Sequence, residues 1–334
     1  MSDGDLVAQI EATGERLVRA RGMIGRRIIG QADVVEQVLI AILCGGHGLL
    51  VGAPGLAKTR LVETLGVVLG LNAHRIQFTP DLMPADILGA EVLETGPDGS
   101  RHFRFIDGPI FCQLLMGDEI NRASPRTQSA LLQAMQEHEV SVAGQRRRLP
   151  RPFHVLATQN PIEQEGTYPL PEAQLDRFLL QIDVDYPDRD SERAIVLATT
   201  GVEEARAEPV FDAESLIAAQ RLVRRLPVGE AVLERILDLV RSARPGTAEA
   251  HPSVAAAVSW GPGPRAAQAL MLAVRARALI QGRLAPGVED VAALAHAVLI
   301  HRMALGFAAR AEGQTLDRLI ARLTEDVTGV EAAA

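Results

Sequence analysis

The clearest structural signal in this chain is Gly48-Leu49-Leu50-Val51-Gly52-Ala53-Pro54-Gly55-Leu56-Ala57-Lys58-Thr59. Its first four residues form a short apolar run, which is typical of a buried strand. After Thr59, leucine and valine recur at helical spacing, as on the apolar side of an amphipathic helix. A glycine-rich loop separates the two. The stretch therefore predicts a strand, a loop and a helix in immediate succession.

The loop nearly matches G-x-x-x-x-G-K-[ST], a pattern in which backbone N–H groups and a helix N-terminus surround nucleotide phosphates. On this reading Lys58 contacts the β and γ phosphates and the Thr59 hydroxyl binds Mg²⁺. Ala57 replaces the second glycine, so it is strained by about 1 to 3 kcal/mol if that position needs a positive φ. A plain glycine turn is the alternative, but the flanking strand and helix favour nucleotide binding. The predicted phosphate-binding residues are Gly52, Ala53, Pro54, Gly55, Leu56, Ala57, Lys58 and Thr59.

Lys58 is the only lysine among the 34 Lys plus Arg residues of the chain. A lysine ammonium is a compact, rotatable charge, whereas an arginine guanidinium is a planar fork. The composition therefore favours a task at Lys58 that arginine cannot perform.

Length and composition narrow the function further. A chain of 334 residues with 47% hydrophobic residues can build roughly two domains with real cores. Its apolar runs are too short to span a membrane and its first residues are acidic, which predicts a cytoplasmic protein. The net charge of -8 argues against a surface built to bind nucleic acid. Cys44 and Cys112 lie in apolar segments without metal-ligand spacing, so we expect both in the core.

The chain after the loop alternates apolar runs with helical segments. Continuous apolar strands separated by helices indicate a parallel sheet covered on both faces. The further predicted strands are residues 75–78, 114–116, 153–158 and 179–184. Near Pro187 the pattern becomes helical and stays so to the end. We therefore predict an N-terminal helix over residues 1–20, an α/β domain over 21–186 and an all-α domain over 187–334.

Two segments with alternating side chains around turn residues predict β-hairpins. The first pairs residues 91–93 with 103–105 around the turn Pro97-Asp98-Gly99. The second pairs residues 140–142 with 146–148. The arginines of the second hairpin are more typical of a solvated surface than of a client-binding site.

Asp118 and Glu119 follow the apolar run 114–116 directly. The C-terminal edge of a parallel sheet is where ligands bind. Asp118 is placed to hold Mg²⁺ through water, and Glu119 to orient and deprotonate an attacking water. Two solvated carboxylates at the start of a loop are the alternative, but the phosphate loop upstream favours a catalytic pair.

Four segments make a family resemblance specific. They read Asp118-Glu119-Ile120-Asn121-Arg122, Leu131-Leu132-Gln133-Ala134-Met135-Gln136-Glu137, Ala157-Thr158-Gln159-Asn160-Pro161 and Leu175-Asp176-Arg177-Phe178. Together with the loop they resemble the MoxR family of AAA+ ATPases over nearly the whole chain. MoxR loops resemble Gly-x-Pro-Gly-Leu-Ala-Lys-Thr, so the alanine at position 57 agrees with the family. The resemblance implies an AAA+ P-loop α/β fold, with a parallel sheet flanked by helices and then a smaller all-α lid domain.

The resemblance also implies roles for single residues. Asn160 matches sensor 1, which helps to orient the attacking water, and Arg177 matches the arginine finger offered to a neighbouring subunit. The segment Gly261-Pro262-Gly263-Pro264-Arg265 resembles sensor 2, which implies Arg265 over the phosphates from the lid. Ile29 and Gly30 correspond to positions near the adenine. The alternatives are a polar residue before a turn for Asn160, an ion pair for Arg177 and apolar packing for Ile29.

By this resemblance we expect an ATPase that binds ATP and Mg²⁺, forms a homo-oligomeric ring, expected to be a hexamer, and remodels a protein client. The resemblance also implies a partner with a von Willebrand factor type A domain, while the sequence names no client. Three alternatives stay open: a nucleotide switch that hardly hydrolyses, a DNA-acting ATPase and the motor subunit of a metal chelatase. Glu119 and Arg177 argue against the first, and the net charge argues against the second.

Overall fold

The computed structural model describes residues 3–95, 100–161, 166–201 and 205–330. In chain order its strands are β1 (Gly48–Gly52), β2 (Ala73–Gln77), β3 (Gly89–Thr95), β4 (Arg101–Asp107), β5 (Leu114–Asp118), β6 (Glu139–Val142), β7 (Gln145–Arg148), β8 (His154–Gln159), β9 (Leu180–Val184), β10 (Val258–Trp260) and β11 (Ala304–Leu305). The helices are α1 (Asp3–Gly25), α2 (Ala32–Leu43), α3 (Lys58–Val68), α4 (Pro84–Leu88), α5 (Pro125–Glu137), α6 (Glu172–Leu175), α7 (Arg189–Thr200), α8 (Ala213–Val223), α9 (Glu230–Ser242), α10 (Pro252–Ala257), α11 (Pro264–Ile280), α12 (Val288–Leu299), α13 (Phe307–Ala311) and α14 (Leu316–Thr328). Two short 3-10 helices cover Ile120–Arg122 and Ile300–Arg302.

A five-stranded parallel sheet in the order β2-β5-β8-β1-β9 forms the centre of the α/β part. The five predicted strands are all present, and the predicted parallel sheet is confirmed. Strand β8 lies between β5 and β1. The C-terminal ends of these three strands therefore meet at one edge of the sheet, where the phosphate loop and the acidic pair also begin.

Both predicted hairpins are present. Strands β3 and β4 pair antiparallel, as do β6 and β7. The predicted turn at Pro97-Asp98-Gly99 lies outside the described residues. The guanidinium of Arg147 lies 3.9 Å from the ring centroid of Phe105, so a cation–π contact joins the second hairpin to the first.

The C-terminal region is helical, as predicted, but it also contains a small antiparallel sheet of β10 and β11. The prediction of an all-α region was wrong in this detail. These strands have three and two residues. Such short segments show no alternation that a sequence pattern could reveal.

One hydrophobic core runs through both parts of the chain. It contains Leu39 of α2 and Leu65 of α3, together with Leu270 of α11 and Val298 of α12. Helix α1 extends beyond the predicted residue 20 and packs against α3 and α11. The helical region is thus joined to the α/β part by continuous apolar packing.

Charged side chains reinforce this junction. Glu36 of α2 accepts from Arg21 of α1 at 3.0 Å and from Arg277 of α11 at 3.1 Å. Arg277 also donates to the fully buried Asp290 at 2.6 Å. The network links α1, α2, α11 and α12. Within the described ranges, no helix is long and apolar enough to cross a membrane.

Candidate active site

The loop after β1 has a backbone shape that specific small residues allow. A Cβ atom on Gly52 would lie 2.3 Å from the carbonyl oxygen of Val184, so a larger residue cannot fit there without moving strand β9. Gly55 has a φ of +84° and its Cβ direction opens into free space. The loop is therefore open to its surroundings at Gly55.

Ala57 adopts the left-handed conformation, with φ 55° and ψ 18°, at the N-cap of α3. The sequence predicts strain at Ala57 if this position needs a positive φ. The structure has that positive φ, which costs about 1 to 3 kcal/mol. Among the described residues, no side chain caps this helix end and no acidic residue lies in its first turn. The partial positive charge of the helix N-terminus is thus left for an anion.

Lys58 folds back onto the loop. Its Nζ donates to the carbonyl oxygens of Gly52 at 2.6 Å and Ala53 at 3.1 Å. Burial lowers the pKa of this ammonium, and the negative charges of Asp118 and Glu119 act in the opposite direction. The structure therefore brings the lysine and the acidic pair into one electrostatic neighbourhood.

Asp118 ends strand β5 and is held on both sides. Its Oδ1 accepts a hydrogen bond from the Thr158 hydroxyl at 2.5 Å. Its Oδ2 accepts from Nη2 of Arg75 at 2.6 Å. The Arg75 side chain is half-exposed. The carboxylate is therefore fixed by β8 and neutralised by a cation that solvent can reach.

Glu119 follows with a φ of 56°, an uncommon conformation for a residue with a side chain. Its backbone N–H donates to the Thr158 hydroxyl at 2.9 Å. Its Oε2 accepts from Gln77 at 2.9 Å and from Arg122 at 3.0 Å. Thr158 thus bonds to both acidic residues, while Gln77 and Arg122 orient the Glu119 carboxylate.

Asn160 comes directly after β8 and is 5% exposed. Neighbouring strands of a sheet lie about 4.8 Å apart, and β8 separates β1 from β5. The structure therefore places Asn160 between the phosphate loop and the acidic pair, at the edge where the sequence predicted it.

The segment with Ile29 and Gly30 lies against the same loop. The next residue, Gln31, donates from Nε2 to the carbonyl oxygen of Leu56 at 3.2 Å. The Oε1 atom of Gln31 is buried and has no hydrogen-bond partner among the described residues. Gly30 has a φ of +77°, and a Cβ there would lie 2.5 Å from Cβ of Ser191 in α7. Residues 30 and 31 therefore lie between the loop and α7.

Arg177 and Arg265 lie at the opposite edge of the sheet. Leu179, just before β9, donates its N–H to the carbonyl oxygen of His47, just before β1, at 2.8 Å. Both arginines line one cavity of about 230 Å³ with His47 and Asp176. A strand of five residues spans roughly 15 Å, which separates this cavity from the phosphate loop.

That Arg265 lies over the phosphates from the lid stays a prediction. Its Nη1 lies 3.6 Å from Oδ2 of Asp176, next to the predicted arginine finger. Helix α11 begins at Pro264, and its first turn packs beside the residues that lead into β9. The lid therefore presents Arg265 at the same edge as Arg177.

Known proteins resemble this chain over most of its length. The family described as "ATPase family associated with various cellular activities (AAA)" matches residues 47–180, and the AAA lid domain matches residues 251–323. "Chaperone MoxR1" of Mycobacterium tuberculosis is 40% identical over 311 residues, which cover 93% of this chain and 81% of that protein. "Protein MoxR" of Paracoccus denitrificans is 33% identical over 304 residues, 83% of this chain and 85% of that protein. The chain belongs to the MoxR family of AAA+ ATPases.

A solved structure has the same fold as this chain. The crystal structure of a protein from Cytophaga hutchinsonii has a TM-score of 0.88 and 34% sequence identity, and the match covers 96% of each chain. The predicted fold, an AAA+ parallel sheet followed by a helical lid, is thereby confirmed. Membership of the MoxR family supports an ATPase with a chaperone-like role.

Sequence reasoning missed several polar residues of this MoxR-family site. Arg75 and Gln77 contact the acidic pair, yet β2 was read only as an apolar strand. Their alternation around the buried Ile76 was the available signal, because it places both on one face of the strand. Thr158, the polar residue after a run of buried apolar residues in β8, was a second signal.

Proposed function

We propose that this protein hydrolyses Mg-ATP as a homo-oligomeric ring, expected to be a hexamer, and uses the cycle to remodel a partner protein. One observation carries the proposal: the phosphate loop and the pair Arg177 and Arg265 lie on opposite edges of one sheet. A head-to-tail interface that closes into a ring brings unlike surfaces of neighbours together. Such a ring would place the two arginines of one protomer at the nucleotide of the next.

The loop fits a triphosphate. Ala57 is left-handed and, among the described residues, no side chain caps the helix that follows it. Lys58 donates to two loop carbonyls, which phosphate oxygens can replace. The Oε1 atom of Gln31 is buried and has no partner in the described part of the chain, so it can accept a hydrogen bond from the adenine amino group beside Ile29 and Gly30. The two ends of the site thus complement the two ends of ATP.

The donors present fit a magnesium ion held chiefly by phosphate oxygens. Within the described ranges, no cluster of three or more His, Cys, Asp or Glu side chains could hold a metal by itself. Mg²⁺ usually binds through one or two protein oxygens, waters and substrate phosphates. The Thr59 hydroxyl and the Asp118 carboxylate would supply those oxygens. The ion neutralises charge on the phosphates when it is bound.

Glu119 is the residue we assign to the attacking water. Its Oε2 is held by Gln77 and Arg122, which fixes the carboxylate at the sheet edge where Lys58 lies. From there it would orient the water and accept its proton. The Asn160 amide would share in orienting that water. Arg177 and Arg265 from the neighbouring protomer would stabilise the charge that develops on the transferred phosphoryl group.

The partners belong to the same proposal. The relative named "Chaperone MoxR1" supports a protein client, and we expect a cytoplasmic partner with a von Willebrand factor type A domain. A weakly hydrolysing switch or a chelatase motor would use the same nucleotide fold. Turnover separates the switch from the motor, and the identity of a co-purifying protein separates the chelatase.

Mixing two inactive variants tests the proposal. Glu119→Gln keeps Arg177 but cannot activate water, and Arg177→Ala keeps the catalytic carboxylate but lacks the finger. Each variant alone should release phosphate at least about 100-fold more slowly than the native protein. In a random equal mixture about one quarter of the sites join an intact Glu119 to a neighbour's Arg177, because ring interfaces are head-to-tail. Turnover should recover to that level, and a mixture as inactive as its components contradicts an arginine supplied in trans.

A further inference from the structure

A fully buried arginine of the helical region lies beside the segment that carries Arg177. Arg302 is 2% exposed. Its Nε donates to Oδ1 of Asp176 at 2.8 Å. Its Nη2 donates to the carbonyl oxygen of Phe178 at 2.7 Å, and its Nη1 to those of Val298 at 2.7 Å and Leu179 at 3.2 Å. The guanidinium thus holds the backbone immediately before and after the finger residue.

The neighbouring histidine adds a further bond. The ring of His301 is buried, and its Nε2 lies 3.1 Å from the carbonyl oxygen of Phe178. Because a carbonyl can only accept, this nitrogen carries the proton. Burial and the positive charge of Arg302 hold the pKa of His301 well below its ordinary value, so the ring is neutral. Two consecutive residues of the lid therefore bind one turn of the finger segment.

Asp176 connects this arrangement to the second arginine. Its Oδ1 accepts from Arg302, and its Oδ2 lies 3.6 Å from Nη1 of Arg265. A single carboxylate therefore lies between the buried guanidinium and the half-exposed Arg265. Asp176 thus links Arg302 to Arg265, and it directly precedes Arg177 in the chain.

A stabilising role alone explains this arrangement poorly. Buried ion pairs are often no more stabilising than apolar side chains of the same volume, because both charges must leave water. The planar guanidinium holds its N–H donors at fixed angles in one plane, so it fixes the positions of the acceptors that it binds. Here those donors end on residues 176, 178, 179 and 298, and the first three flank the half-buried Arg177.

We propose that Arg302 is the positioning residue of the arginine finger and sets Arg177 and Arg265 for the neighbour's nucleotide. The inference rests on the role in trans proposed above for Arg177. It assigns a task in hydrolysis to a residue that lies across the sheet from the protein's own phosphate loop. Loss of this positioning should lower turnover in the next protomer without changing the protein's own nucleotide site.

Arg302→Lys is the first test, because it keeps the charge and removes the fork. A displacement of about 1 Å at a reacting group can cost roughly 100-fold in rate, so we expect kcat to fall between about 10-fold and 100-fold. The KM for ATP should stay within about twofold, since binding depends on the opposite edge of the sheet. Asp176→Asn, which keeps the side-chain volume, should give the same pattern and replaces Arg302→Lys if that variant does not fold.

Arg277→Lys is the matched control. Arg277 belongs to the same helical region and to a buried ionic network, but it pairs with Glu36 and Asp290 and not with the finger segment. It should lower the melting temperature while kcat stays near the native value. An equal loss of kcat in this control would assign the effect of Arg302 to lid stability and overturn the inference.

Mixtures separate positioning from general damage. Arg302→Lys mixed with Glu119→Gln should regain turnover toward about one quarter of the native rate, because the second variant lends an intact finger. Arg302→Lys mixed with Arg177→Ala should regain nothing, because both lack a working finger. Two results together would overturn this inference and leave the proposed function standing. The mixture of Glu119→Gln with Arg177→Ala would regain turnover, and the folded variants Arg302→Lys and Asp176→Asn would each hydrolyse ATP at the native rate. If the mixture of Glu119→Gln with Arg177→Ala regained no turnover, both this inference and the proposed function would be overturned.

Discussion

Replacing Lys58 by arginine probes the phosphate loop most directly. The substitution keeps a positive charge at the first residue of α3 and changes only its shape and reach. In the structure Nζ lies 2.6 Å and 3.1 Å from two loop carbonyl oxygens, so the loop fits an ammonium closely. A guanidinium is larger and needs its partners in one plane. It therefore cannot occupy the same point without displacing the loop.

The expected loss follows from the donor that is removed. Taking one preorganised donor away from developing charge costs about 10²-fold to 10³-fold in rate, or about 2.7 to 4 kcal/mol of barrier. Because the charge is retained and the side chain is only partly buried, we expect folding stability to change little. Turnover should fall by about 100-fold or more, while the melting temperature stays near that of the native protein.

Steady-state phosphate release at saturating ATP measures the effect. Arg19→Lys is the control, because Arg19 is exposed on α1 and the change makes the reverse exchange on that surface. That variant should hydrolyse ATP at the native rate. Native turnover in Lys58→Arg would refute the reasoning, because the ammonium would then not contact the phosphates.

Two further outcomes are expected. Burial lowers the pKa of His47 to about 3 and that of His154 to about 4. In the unfolded chain these histidines take up protons as the pH falls below their ordinary pKa near 6.5, while in the folded protein they stay neutral. The free energy of unfolding should therefore fall as the pH is lowered below 6.5. The fall should be about 1.4 kcal/mol per pH unit for each histidine, and urea melts with the same midpoint at pH 7 and 5 would contradict it. Gly52→Ala should abolish nucleotide binding in a fluorescent-ATP titration, because its Cβ meets the Val184 carbonyl, whereas Gly22→Ala, which meets nothing within 4 Å, should not.

The sequence predicted most of the α/β part because its signals are local. Apolar runs such as residues 48–51 and 114–116 can be buried only in the centre of a sheet, and the helical segments between them require parallel strands. Their C-terminal ends then meet at one edge, which is why Lys58, Asp118 and Glu119 were expected together. The negative charges of Asp118 and Glu119 act to raise the pKa of Lys58, so the three side chains are close enough to interact electrostatically.

The positions of the lid residues could not be predicted in the same way. Arg265 lies at the start of a helix in the sequence, and nothing in that pattern tells which edge of a distant sheet the helix packs against. Arg302 follows an apolar helix and gives no sign that it is buried. Both placements depend on packing between residues more than 80 positions apart along the chain, which periodicity along one element does not encode.

The continuous core between the α/β part and the helical region has a mechanical consequence. Leu65 and Leu270 belong to the same apolar cluster, and Glu36 bonds to α1 and α11. The helical region cannot rotate away from the α/β part without exposing the apolar core that the two share. In the proposed ring, each protomer would therefore move as one rigid body, and ATP hydrolysis would act by shifting neighbouring protomers along the interfaces between them.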